Sequence, residues 1–196
     1  MGEFRGDVVT KWNFGEEKES DRVMILTDSF SFIDNNQEEW IANKGNPING
    51  ASIPEFLWGE LNLKSPYIGN YRRAAALHDS LYFDHHSGVL VDEQDDQKKC
   101  DIVFYRAMYV DNTPWFQRKI MFIAVRLFGR FYWDSNSVKT IEELNFEDKE
   151  RYDAAVDEAG ELSNDPYEID GITFHTEPDV DGEIDKLNKI IERYKN

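Results

Sequence analysis

The apolar pattern of this chain begins strand-like and turns helical. From Val23 to Ile33 β-branched and aromatic residues dominate, and Asp34-Asn35-Asn36-Gln37 follows as a turn signal. Glu39 to Ala42 then predicts the returning strand of a hairpin, which Lys44-Gly45-Asn46-Pro47 breaks. Ser52 with Glu55 three residues later forms a capping-box pattern, with Pro54 in the first turn, and predicts a short helix through Phe56, Leu57 and Trp58. Tyr71 to His85 reads as a helix, opened by the strong helix formers Arg72 to Leu77 and closed by Ser87-Gly88. A second helix is expected from near Asp92 to about Val110. A third starts at Thr113-Pro114 and runs to about Trp133, weakened near its end by Gly129.

The remainder has a different texture. Ile141 to Gly160 is acidic and partly helical in pattern, and Leu162 to Gly182 is loop-like. Ile184, Leu187, Ile191 and Tyr194 alternate at spacings of three and four, a narrow apolar seam on a terminal helix. A helix this short is marginal alone and needs a surface to dock on. The expected fold class is α+β: an N-terminal β-hairpin or small antiparallel sheet packed on about three α-helices, plus an acidic, partly helical C-terminal extension. The expected division is an arm over 1–21, a globular domain over 22–140 and the extension over 141–196.

Charge sharpens that division. The net charge is −17, and residues 141–196 carry 18 acidic and 6 basic side chains, a net of −12. Such a field repels a phosphate backbone and disfavours general nucleic-acid binding. The single cysteine, Cys100, rules out an internal disulfide and fits a reducing compartment. The most apolar run, Ile120 to Val125, is too short to span a bilayer and is flanked by Arg118, Lys119, Arg126 and Arg130, so it predicts a buried helix. The N-terminus lacks an apolar run of signal-peptide type.

Chemistry concentrates on the first two predicted helices. His78 and Tyr82 are four apart and share a face, while Asp79 is turned from His78 by about 100°. Asp101 lies on the next helix; antiparallel packing lets it hydrogen-bond one ring nitrogen of His78 and leaves the other to take a proton from water. Asp79 offers an oxygen to a hard divalent cation such as calcium. The same His-Asp pair can also do no more than satisfy itself in the core. His85 and His86 suit an exposed helix C-terminus. Cys100, beside Asp101, is poorly placed to become a thiolate. No ligand spacing of zinc type is present, and His175 has no partners in sequence. A His-Asp metal phosphohydrolase needs a further histidine upstream, and none precedes His78.

The order of these motifs resembles a family. Asn49-Gly50-Ala51-Ser52-Ile53-Pro54 with Trp58, then Ala75-Ala76-Leu77-His78-Asp79-Ser80-Leu81-Tyr82, then Cys100-Asp101 with Phe104 and Ala107-Met108, is similar to domain-of-unknown-function family 1353. The resemblance covers roughly residues 22–133 and implies a phage or prophage protein, with Asn49, Gly50 and Ser52 lining the same site. The family usually has Asp where this chain has Asn49. The paired helices also resemble, more distantly, those of phospholipase A2, which implies His78 as base, Asp79 as calcium ligand, Asp101 as orienter and Tyr82 in support. This chain lacks that family's disulfides and an evident glycine-rich calcium loop. Two functions follow as expectations. One is a virion-associated or assembly accessory protein, in virion or host cytoplasm, meeting other phage structural proteins through its C-terminal extension. The other is a phage hydrolase acting on lipid ester or cell-envelope material.

Overall fold

A computed structural model describes residues 2–13, 23–48, 69–86, 96–134, 146–162, 167–169, 172–174 and 179–195. Asp34 turns the predicted hairpin. Its carboxylate accepts the backbone N–H groups of Asn36 and Glu38, and Gln37 takes a left-handed φ of 65°. The turn joins β4 (Phe30–Ile33) to β5 (Glu39–Ala42), antiparallel with Phe32 opposite Trp40. The segment expected as an arm also forms strands. β1 (Glu3–Arg5) pairs with the free edge of β4, placing Phe4 opposite Phe32, and β2 (Thr10–Asn13) pairs with β3 (Val23–Leu26). With β6 (Pro47–Ile48) on the other side of β3, the result is two three-stranded antiparallel sheets, β1-β4-β5 and β2-β3-β6. The arm's polar composition hid these strands, because a lone Phe4 suffices to seat β1 on the core, its ring 4.9 Å from that of Phe32.

Among the described residues five helices follow: α1 (Arg72–His86), α2 (Asp96–Val110), α3 (Trp115–Asp134), α4 (Phe146–Gly160) and α5 (Val180–Tyr194). The predicted capping box and short helix at 52–58 lie outside the described residues. α1 is the central element. It packs on β5 and β6 on one side and on α2 and α3 on the other, so an unbroken run from Ala74 to Tyr82 is buried. The small side chains of Ala74, Ala75 and Ala76 let neighbours approach on every face. Polar groups join α1 to the sheets: Asn46 donates to Ser80 and Asp84, and Asn43 donates to Asp84 and, through its backbone, to Ser80. Among the described residues no helix is long and apolar enough to cross a membrane.

The acidic extension does not stand apart in packing. Of the apolar seam of α5, Ile184, Leu187 and Ile191 are buried, joined by Ile190, in the same core as α1–α3, while Tyr194 is half-buried against it, and α4 adds Tyr152, Ala155 and Ala159. The loop-like stretch also contains a small hairpin, β7 (Tyr167–Ile169) with β8 (Ile172–Phe174). Asp179 caps α5 by accepting the N–H of Gly182.

A buried ionic cluster seats α5 on the start of α3. Glu183 accepts the indole N–H of Trp115 at 2.6 Å and lies 3.7 Å from the Lys119 ammonium. Lys119 is 1% exposed; it donates to the carbonyls of Ala159 and Leu162 and sits 3.4 Å from the Trp115 ring centre. Burial pushes this lysine down to about 8, against the opposing pull of Glu183. Between that value and the ordinary 10.5 the unfolded chain binds more protons than the folded chain, so the contribution of Lys119 to stability rises with pH there. From pH 7.5 to pH 10.5, the unfolding free energy of the wild type should therefore gain on that of Lys119→Met by roughly 3 kcal/mol. Urea titrations at both pH values check this, and a constant gap would refute it.

Candidate functional site

Two helices bring three side chains to a single buried carboxylate carried by a third. From α2, Asp101 is fully buried. From α1, His78 Nε2 lies 2.8 Å from Asp101 Oδ1, and the Tyr82 hydroxyl donates to the same oxygen at 2.8 Å. From α3, Arg126 Nη1 donates to Asp101 Oδ2 at 3.0 Å and forms an ion pair with it. The four-residue spacing of His78 and Tyr82 stacks them on one face of α1, their ring centres 4.2 Å apart.

A carboxylate only accepts, so the ring nitrogen facing it is the one that carries the proton. In the neutral ring, a proton on Nε2 leaves the lone pair on Nδ1. Nδ1 is buried and has no hydrogen-bond partner among the described residues. Aromatic rings enclose the imidazole: Tyr82 on one side and Phe104, 4.8 Å away, on another. Burial first, then the Asp101 charge, hold the Tyr82 hydroxyl well above the ordinary tyrosine range, so Tyr82 stays a protonated donor. It is wedged in place by the edge of Trp133, 4.9 Å between ring centres, and accepts from Gln97 at 3.3 Å. This arrangement can hold an imidazole in one tautomer and let it accept a proton at Nδ1.

The structure thus brings His78, Tyr82 and Asp101 together. Asp79 lies next to them on α1 but is turned away; it is 5% exposed, and its charge adds to burial in raising the Tyr132 hydroxyl. Asn49, Gly50 and Ser52 lie outside the described residues, as does His175. Calcium takes roughly six to eight oxygen ligands. Among the described residues no three His, Cys, Asp or Glu side chains come together as ligands. Cys100 is buried, and burial followed by the Asp101 charge pushes its thiol well above the ordinary value, as the disfavoured thiolate requires. His86 is exposed at the helix end, with Nε2 2.7 Å from the Tyr132 carbonyl, but His85 is half-buried and stacks on Trp133 at 3.8 Å.

Arg126 and Gly129 are the members that sequence reasoning missed. Both were visible, Arg126 as a charge beside the most apolar run and Gly129 as a glycine inside a helix pattern. A Cβ on Gly129 would lie 2.6 Å from the Tyr82 hydroxyl and 3.2 Å from Gln97 Nε2, so this glycine lets α3 close on Tyr82. Alanine is ordinarily better in a helix by about 1 kcal/mol. Here Gly129→Ala should instead destabilise by about 1–3 kcal/mol, because Tyr82 is held between Asp101 and Trp133. The loss should shrink in a Tyr82→Phe background, a coupling that denaturation of the double-mutant cycle measures directly.

Comparison with known proteins supports the resemblance read from the motifs. Residues matching two proteins of Sinorhizobium fredii (strain NBRC 101917 / NGR234) cover about half of this chain. "Uncharacterized protein y4jT" is 30% identical over 104 residues, 53% of this chain and 28% of that protein. "Uncharacterized protein y4iH" is 33% identical over 105 residues, 54% of this chain and 40% of that protein. The matched region thus spans less than half the length of either relative. No solved structure matches. The family model covers residues 24–125, from β3 into α3, and so includes His78, Tyr82 and Asp101 while stopping one residue short of Arg126. The chain belongs to the family described as "Protein of unknown function (DUF1353)".

Proposed function

We propose that this domain is a hydrolase with His78 as its general base. The observation that supports this most is the buried hydrogen bond from His78 Nε2 to Asp101, with Nδ1 unpartnered among the described residues. Nδ1 takes a proton from the attacking water, and Asp101 steadies the imidazolium that forms. Tyr82 holds the accepting oxygen in line. The substrate class is lipid ester or cell-envelope material, by analogy with the phospholipase A2 helix pair. A calcium ion at Asp79 is an added element of this reading, and no step above depends on it. On phospholipid vesicles and purified cell envelopes, His78→Gln should lower turnover by roughly 10²- to 10⁴-fold while circular dichroism stays unchanged. Undiminished turnover in that variant would reject the assignment.

A second reading is a virion-associated or assembly accessory role in a phage. It is favoured by the outer face of α4 and α5, where Glu150, Asp157, Asp185 and Glu192 are exposed while the apolar seam faces inward. A phage partner would then meet carboxylates on this face. Neutralising those four residues to Gln and Asn should reduce recovery of the protein with purified particles several-fold; unchanged recovery would count against the role.

A further inference from the structure

The candidate base is defined by which ring nitrogen carries the proton, and α3 reaches the carboxylate that faces one of them. Arg126 is 4% exposed, and its guanidinium meets the Asp101 oxygen that neither His78 nor Tyr82 uses. Along the same face of α3, Gly129 admits Tyr82 and Trp133 wedges it, at spacings of three and seven from Arg126. One other cation, Lys195 just beyond α5, feels both Arg126 and Asp101, but its ammonium donates to Glu192. Among the described residues Arg126 is thus the cation bonded to the buried carboxylate.

A carboxylate held away from water without a counter-charge takes up a proton rather than stay ionised. If Asp101 did so, its new O–H would donate to His78 Nε2. That nitrogen would become the acceptor, and the single ring proton would sit on Nδ1. One proton would be taken from water, and the lone pair that faces away from Asp101 would be lost.

We propose that Arg126 is a positioning residue: by balancing Asp101 it fixes the hydrogen bond in the direction His78 Nε2–H to Asp101 and keeps the lone pair on Nδ1. The proposal deepens the hydrolase reading and rests on it for its purpose, but the arrangement is measurable without turnover. The full-length protein is labelled with ¹⁵N-histidine, and His78 is assigned by loss of its signals in His78→Gln. Nitrogen shifts near neutral pH then report the tautomer. Wild type should show Nε2–H, and Arg126→Lys, which keeps the charge, should show the same. Arg126→Met should move the proton to Nδ1, shifting the tautomer ratio at least tenfold. A proton on Nδ1 in the wild type would overturn the proposal, as would a wild-type spectrum in folded Arg126→Met. If Arg126→Met does not fold, the wild-type and Arg126→Lys spectra still decide, since either one carrying Nδ1–H overturns it. The expected tautomers without any turnover would reject the hydrolase reading alone.

Discussion

A single buried carboxylate, Asp101, sets the terms on which the three central helices can pack. It is fully buried and takes donors from His78 and Tyr82 on α1 and from Arg126 on α3. Removing one partner of a buried charge is far more damaging than losing a surface pair, because the remaining charge is stranded out of water. A slip of any of these helices by one residue would do that to Asp101. The small residues around the site serve this constraint. Ala74 to Ala76 let α1 sit among close neighbours, and Gly129 lets α3 approach Tyr82 without a side chain in between.

The same device appears at the other end of α3. Glu183 of α5 is buried against Lys119 and the Trp115 indole, with Arg118 3.9 Å away. The cations that bracket the apolar run Ile120 to Val125 therefore reach to opposite neighbours, Lys119 to α5 and Arg126 to α2. Charge at the ends of an apolar segment here fixes which helix lies against which end, a specificity that apolar contact alone would leave loose.

Much of the fold was legible because the relevant signals are local. The β4–β5 hairpin follows from β-branched runs around an Asp34 turn, and α1, α2 and α3 follow from helix formers, Thr113-Pro114 and apolar spacing. The strands β1 and β2 were not legible, since their pairing comes from sheet edges elsewhere in the chain rather than from their own composition. The charge boundary near residue 140 hid the burial of α5, whose seam supplies core residues while its acidic face stays in solvent. In the site, His78, Tyr82 and Asp101 could be joined because two antiparallel helices and a spacing of four suffice. Arg126 could not, for its role depends on the direction from which a third helix crosses the pair, and a charge beside an apolar run reads by default as surface.

The lateness of α5 has a consequence for how the chain emerges during synthesis. Trp115, Lys119 and the adjoining apolar face of α3 are made well before Val180 to Tyr194, the segment that covers them. In that interval the nascent chain presents an aromatic and aliphatic surface with an unmatched ammonium at its edge. Such a surface suits capture by a chaperone, and the acidic character of the finished fold gives no sign of that passing need.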